Sequence, residues 1–175
     1  MEKIKKILAP TDLSELSQVG VRHALNLAKA TGAEVTVYHV VNYEELLWYG
    51  EKIKEKIATD STFGTSGSVL EKYQSALTLF LKTHFSELIP SVKVDEKVEL
   101  GRPDENIVEE AKKEGVDLIV ISTHGRSGLS HMLLGSVTEK VVRTAPCPVL
   151  SIRPRGEQQK IGKERKENSQ WIPPA

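Results

Sequence analysis

The pattern of apolar and polar positions in the first 41 residues predicts a strand, a helix and a second strand. Apolar residues at 4–9 form a short run that ends at Pro10, which is typical of a strand covered on both faces. The sequence Thr-Asp-Leu-Ser at 11–14 is then typical of a helix start, and apolar residues recur at helical spacing until Gly32. β-Branched residues dominate 34–41, which predicts the second strand.

The middle of the chain continues this alternation with a break. Helical spacing of apolar residues occupies 44–58 and 69–88, and the small polar residues at 59–68 predict a mobile loop between the two helices. Pro90 ends the second of these helices. Apolar and polar residues then alternate at 92–100, which predicts a third strand with one polar face.

The last third of the domain adds two further strands. A turn at Gly101 leads into a helix that stops at Gly115, and the run at 117–122 is the most apolar strand, so we expect it inside the sheet. Ser136 begins an S-x-x-E sequence, which is a capping box and predicts a helix start there. Residues 149–152 form the final strand, predicted at a sheet edge. The inward-facing helix residues are predicted to be Val137, Val141 and Val142.

Strands that alternate with helices indicate an α/β domain with a doubly wound, five-stranded parallel sheet and helices on both faces. Ligands of such folds bind beyond the carboxyl ends of the strands, where the strand order reverses. In this chain those ends are residues 10–12, 40–41, the turn at Gly101, and residues 122–125.

Composition narrows the function classes. The 175 residues suit one domain at 1–154, followed by a polar segment at 155–175 that predicts a disordered tail. The 24 basic and 24 acidic residues balance, which argues against nucleic-acid binding driven by bulk charge. Cys147 is the single cysteine, so no internal disulfide forms, and no apolar run approaches the roughly 18 residues of a membrane helix. We expect a soluble cytoplasmic protein.

The segment 122–138 has the chemistry of an anion-binding site. Gly125 and Gly135 lack Cβ atoms, so the backbone can approach a phosphate, and a helix that starts at Ser136 offers free N–H groups and its positive dipole end. Arg126 adds a positive charge. Hydroxyl donors are available on Ser127, Ser136 and Thr138. The alternative is that these glycines serve turns alone and that Ser136 is only a cap.

Other familiar sites do not match. The chain has neither G-x-x-x-x-G-K-[ST] nor G-x-G-x-x-G, which argues against a P-loop ATPase and a standard dinucleotide-binding fold. Residues 125–128 differ from the G-x-S-x-G nucleophile elbow, and His124 beside them is adjacent only in sequence. The five histidines lack zinc-ligand spacing. Cys147, between two prolines, is predicted to be buried rather than reactive.

Four stretches together resemble the universal stress protein family. They are ILAPTDLS at 7–14, HVV at 39–41, GRPDENIV at 101–108, and the segment from 116 to 154; the resemblance spans residues 1 to 154. The ATP-binding members carry G-x-x-G-x(9)-G-[ST]. Here Ser122 takes the place of the first glycine, and the other fixed positions are Gly125, Gly135 and Ser136.

The resemblance implies an adenine nucleotide site with ATP and Mg²⁺ or Mn²⁺. Asp12 would contact the ribose or base and help hold the metal, although an aspartate at this position is also typical of a helix start. Val40 would bind adenine through its backbone, and Ser122 would lie near the ribose. The phosphates would lie against Gly125, Arg126, Ser127, Gly135, Ser136, Val137 and Thr138, and the implied site also includes Pro10, Thr11 and His124.

Ser122 leaves two alternatives open. If the family glycine is needed for a left-handed backbone, a serine there costs roughly 1–2 kcal/mol. If it is needed only for space beside the ribose, the serine can donate a hydrogen bond instead.

The sequence therefore predicts an ATP-binding stress-response switch or sensor, with strand order 3-2-1-4-5 and at most slow ATP hydrolysis. An alternative is a dimeric protein-interaction module with an empty nucleotide site, and another is an ATP-dependent ligase with the same adenylate-binding architecture. The edge strand at 148–152 predicts a homodimer, since an exposed edge must be covered or paired and members of the family pair through this strand.

Overall fold

The computed structural model describes residues 3–43, 46–47, 66–125 and 134–154. Five parallel strands form one sheet in the order β3-β2-β1-β4-β5, which confirms the predicted fold class and strand order. The strands are β1 (Lys6–Pro10), β2 (Glu34–Val41), β3 (Val94–Leu100), β4 (Leu118–Ser122) and β5 (Val149–Ile152).

Four described helices of eight or more residues connect these strands. They are α1 (Gln18–Thr31), α2 (Ser66–Phe85), α3 (Pro103–Glu114) and α4 (Ser136–Thr144), and a short 3₁₀ turn at Ile89–Ser91 follows α2. The predicted helix at 44–58 lies outside the described residues apart from 46 and 47, as do most of the predicted loop at 59–68 and the predicted tail at 155–175. The last three residues of that loop belong to α2 instead. No helix in the described ranges is long and apolar enough to cross a membrane.

The core lies in two layers, one on each face of the sheet. Ile7 and Ala9 of β1 pack on the side of α1 and α2, while Leu8 packs on the side of α3 and α4, and all three are buried. Because helices cover both faces, the inner strands are continuous apolar runs, as their sequence predicted. Cys147 is half-buried at the edge of the second layer, and burial raises the pKa of its thiol, which therefore stays protonated at neutral pH.

The predicted helix stops are confirmed. Gly32 and Gly115 end α1 and α3 with left-handed backbones, at φ 75° and 62°. Their N–H groups bond to the carbonyl oxygens of Ala28 and Ala111, which satisfies acceptors that the helix ends would leave open.

One predicted helix start was wrong, and the other lies at the predicted residue but with a different cap. The polar residues at 11–14 do not begin α1, because the Asp12 carboxylate accepts hydrogen bonds from Ser14 and closes a turn, and the helix starts only at Gln18. In α4 the cap is Gly135, with an extended backbone, and Ser136 is the first helical residue. The capping box does not form, since the Glu139 carboxylate bonds to Arg143.

The prediction that Val142 of α4 faces inward was also wrong. Val141 is buried and Val137 packs against the core, but Val142 is 47% exposed. The short helix α4 covers the sheet with a single narrow stripe, and Val142 lies beside that stripe.

Candidate functional site

A cavity of about 270 Å³ opens at the carboxyl ends of β1, β2 and β4. It lies where the strand order reverses, because β1 pairs with both β2 and β4. All predicted site residues that the structure describes line it: Pro10, Thr11, Asp12, Val40, Ser122, His124, Gly125, Gly135, Ser136, Val137 and Thr138. Arg126 and Ser127 lie outside the described residues.

The turn after β1 brings Asp12 to this cavity. Asp12 Oδ1 accepts hydrogen bonds from the Ser14 N–H at 3.1 Å and the Ser14 hydroxyl at 2.6 Å. Leu13 has φ 63°, a left-handed conformation that costs an L-residue roughly 1–2 kcal/mol. Such strain persists only where surrounding contacts hold it, and it is found most often at functional sites.

Gly125 allows the chain after β4 to approach Asp12 closely. A Cβ on Gly125 would lie 2.2 Å from Asp12 Oδ2, far inside van der Waals contact. The other glycine of the segment is less tightly packed, since a Cβ on Gly135 would lie 3.2 Å from the Thr123 carbonyl oxygen. The lack of a side chain at Gly125 is therefore a requirement of this Asp12 position.

The N-terminus of α4 also lines the cavity. By helix geometry the N–H groups of Ser136, Val137 and Thr138 have no acceptor within the helix, and they carry the positive end of its dipole. The Thr138 hydroxyl donates to the Ser122 carbonyl at 2.8 Å, so this side chain joins α4 to β4 instead of facing a ligand. Ser136 is exposed at the rim.

Ser122 adopts an extended strand conformation. Its hydroxyl donates to the Leu16 carbonyl at 2.8 Å, and Leu13 is the one non-glycine residue with positive φ in the described part of the chain. The serine therefore causes no left-handed strain, which argues against the first of the two alternatives that the sequence left open. Its side chain bonds to the turn before α1.

His124 is placed at the cavity beside β4. Its Nδ1 lies 2.8 Å from the Thr123 hydroxyl oxygen, so the imidazole interacts with its own neighbour in the chain.

The apolar wall of the cavity comes from Val40, which the family resemblance indicated, and from residues that it did not assign to the site. Tyr38 and Val40 share one face of β2, and α3 contributes Pro103 and Ile107. Alternation along β2 would have identified Tyr38, but the contact of α3 with this strand end is purely tertiary. The remaining lining residues that sequence reasoning missed are Ser17, His39, Asn42, Ile121 and Thr123.

The backbone of Val40 faces the cavity side of β2. The Tyr38 carbonyl accepts from Thr11 N–H on the β1 side, and the Val41 carbonyl accepts from Gly101 N–H on the β3 side. Since backbone groups of a parallel strand alternate between neighbours, the N–H and C=O of Val40 point toward β1. β1 has already ended at Pro10, so these groups face the space beyond it.

A charged network lies behind the apolar wall. The Tyr38 hydroxyl donates to Glu99 at 2.6 Å, and the Lys97 ammonium bridges Glu99 at 2.9 Å and Glu110 at 2.7 Å. Burial and the hydrogen bond to Glu99 raise the pKa of Tyr38 above its ordinary range. Burial lowers the pKa of Lys97, but the hydrogen bonds to Glu110 and Glu99 outweigh it, so this pKa is raised.

The same balance acts on Glu99. Burial raises the pKa of this carboxyl, while the bonds from Tyr38 and Lys97 lower it by more, so the group is ionised at neutral pH. Tyr38 in the wall of the cavity therefore stays protonated, and Lys97 near it stays charged.

The donor set for a metal is sparse. No group of three or more His, Cys, Asp or Glu side chains suited to a metal ion occurs among the described residues. Asp12 could therefore bind a cation only together with oxygens of a ligand or water, which is how Mg²⁺ is commonly held beside phosphates.

Comparison with known proteins identifies the family. A family model described as the Universal stress protein family matches residues 3–153. Universal stress protein MJ0577 of Methanocaldococcus jannaschii is 31% identical over 160 residues, with 85% of this chain and 94% of that protein covered. Its solved structure has a TM-score of 0.68 at 30% identity and covers 89% of this chain and 99% of that chain.

A second solved structure, a universal stress protein in complex with cAMP, has a TM-score of 0.59 at 20% identity and covers 87% of this chain and 98% of that chain. At this identity the likeness is one of fold. The family match, the MJ0577 relative and the architecture agree with the resemblance that the sequence showed. This chain belongs to the universal stress protein family.

Proposed function

We propose that this protein binds ATP with Mg²⁺ in the cavity and acts as a stress-response switch or sensor of the cytoplasm. One observation carries the proposal: Asp12, Gly125 and the N-terminus of α4 meet around a single cavity that also has an apolar wall. A cavity of about 270 Å³ is near the lower end of ligand pockets, roughly 300–1,000 Å³, and suits a nucleoside whose phosphates extend toward the rim.

Each part of the nucleotide has a chemically matched partner. The base would lie against Tyr38 and Ile107, with its polar edge at the backbone of Val40. The ribose would lie near Asp12 and Ser122. The phosphates would lie at Gly125, Gly135 and the first N–H groups of α4, where an anion is favoured by the helix dipole.

Asp12 would hold Mg²⁺ through one carboxylate oxygen, with phosphate oxygens and water as the remaining ligands. The metal would neutralise phosphate charge. Oδ1 of Asp12 accepts two hydrogen bonds from Ser14, and Oδ2 lies on the side of Gly125.

We expect at most slow turnover. The Thr138 hydroxyl donates to the Ser122 carbonyl, so it is not oriented as a phosphate acceptor. A switch that reports nucleotide occupancy fits this site better than a ligase, which needs a second substrate site.

The first test is to denature the freshly purified protein and identify the released small molecules by mass spectrometry. We expect ATP or ADP near one molecule per chain, with AMP and cAMP scored in the same run. An empty protein that also gives no heat with Mg-ATP in calorimetry would contradict the proposal and favour the protein-interaction module.

We also propose a homodimer through β5. This strand is at the sheet edge, and Leu150 is 41% exposed there. An unpaired edge with apolar side chains is normally covered by another chain or element. A second copy would pair its own β5 and bury Leu150.

The dimer is tested by size-exclusion chromatography with light scattering. We expect a dimer at micromolar concentration that becomes monomeric in Leu150→Lys. Leu79→Lys on α2 is the matched control, since Leu79 is more exposed than Leu150 but lies far from β5, and it should remain dimeric. A monomeric wild-type protein would refute the interface.

A further inference from the structure

We propose that His39 is a positioning residue that holds the Asp12 turn in place from the neighbouring strand β2. His39 is buried in β2, and its Nδ1 lies 2.9 Å from the carbonyl oxygen of Thr11. A carbonyl only accepts, so Nδ1 carries the hydrogen and donates. The imidazole thereby binds the last residue before Asp12. This inference rests on the proposed nucleotide site.

The N–H, hydroxyl and carbonyl groups of Thr11 all take part in hydrogen bonds. Its N–H donates to the Tyr38 carbonyl at 2.9 Å, and its hydroxyl lies 2.8 Å from the Ser17 hydroxyl. That hydroxyl oxygen also accepts from the Leu13 N–H at 3.1 Å. The bond from His39 fixes the remaining polar group, the carbonyl, so that Thr11 has one orientation.

The turn needs such support because it is strained at Leu13. The left-handed backbone of Leu13 directs Asp12 toward Gly125, and a strained conformation relaxes when its contacts are removed. His39 supplies a hydrogen bond to the residue before Asp12 across 28 residues of sequence.

His39 also connects the turn to α2. Its ring stacks on Tyr73 with centroids 5.2 Å apart and an interplanar angle of 29°. Tyr73 belongs to the small core cluster that includes Val41 and Val69. The imidazole therefore fills space between α2 and the sheet while its hydrogen bond reaches the edge of the nucleotide site.

Removing the His39 donor should disturb the Asp12 turn specifically. In His39→Leu the Thr11 carbonyl becomes a buried acceptor that has lost its donor, which favours rearrangement of the turn. His39→Asn keeps an amide N–H near the position of Nδ1 and should restore the bond.

The test is amide hydrogen exchange by NMR on the full-length free protein, followed by Mg-ATP calorimetry. We expect His39→Leu to speed exchange at Leu13 and Ser14 at least tenfold while Ile119 and Val120 in β4 keep wild-type protection, with affinity about tenfold weaker. His39→Asn should return both readouts to within about threefold of wild type.

Unchanged exchange at Leu13 and Ser14 in His39→Leu would overturn the inference, and so would an equal loss of protection in β4. The wild-type protein provides a check that needs no variant: ¹⁵N chemical shifts must show hydrogen on Nδ1 of His39, and an Nε2–H tautomer would also overturn it. If wild-type protein does not bind Mg-ATP, the proposed function fails, while the exchange and tautomer results still decide the role of His39.

Discussion

Gly125→Ala is expected to weaken Mg-ATP binding at least about tenfold and to leave the fold intact. The added Cβ would lie 2.2 Å from Asp12 Oδ2, so the carboxylate must move by about an ångström or the chain after β4 must retreat. Either change separates the two sides of the proposed site. Affinity is measured by calorimetry, and far-ultraviolet circular dichroism checks the fold.

Two other glycines provide a graded series of controls. A Cβ at Gly135 would meet the Thr123 carbonyl at 3.2 Å, so Gly135→Ala should weaken binding less than Gly125→Ala. A Cβ at Gly115 would meet nothing within 4 Å, and Gly115 lies at the end of α3 that is away from the cavity. Because its backbone is left-handed, Gly115→Ala should cost about 1 kcal/mol of stability. It should lower the melting temperature without changing affinity. Wild-type affinity in Gly125→Ala would show that Asp12 does not contact the nucleotide.

Lys97→Met is expected to lower the free energy of unfolding by about 3 kcal/mol. The Lys97 ammonium bonds to Glu99 and Glu110, and the Glu110 side chain is only 5% exposed. Removing one partner of a buried ion pair leaves the other charge uncompensated, which typically costs about 3–5 kcal/mol. We expect the lower end because the Lys97 side chain is 24% exposed. Urea unfolding measures the change.

Lys93→Met is the matched control. Lys93 pairs with Glu34, but its side chain is 81% exposed, and an ion pair between surface side chains contributes little to stability. The double variant Lys97→Met with Glu110→Gln should recover part of the lost stability, since the buried charge is then removed as well. Equal effects of Lys97→Met and Lys93→Met would show that the network behind the cavity wall contributes little.

The main elements of the fold could be predicted because they follow local periodicity. The apolar runs of β1 and β4 and the helix stops at Gly32 and Gly115 depend on residues within a few positions of each other. The family fingerprint added the positions of Gly125 and Gly135, and the structure brings them to the same cavity as Asp12. The predicted ligand roles of these residues await the experiments above.

Other features of the site depended on whether a polar group bonds to a partner nearby in sequence or to a distant one. Ser136 has the sequence of a helix cap, yet Gly135 takes that position because its N–H bonds to the Thr123 carbonyl after β4. Thr138 was expected to face phosphate, and its hydroxyl instead bonds to the Ser122 carbonyl. A short polar side chain makes whichever hydrogen bond the folded backbone offers, and the local pattern contains no information on that choice.

The alternation of apolar and polar residues was therefore enough to establish the parallel sheet, its helical layers and the strand ends at which a ligand would bind. Packing decided what lies at those ends: the wall of Tyr38 and Ile107, the extended conformation of Ser122, and the bond from His39 to Thr11. The Ser122 hydroxyl and its acceptor at Leu16 are 106 residues apart in sequence. Contacts of that separation exist only once the sheet has formed, because no local propensity brings the two residues together.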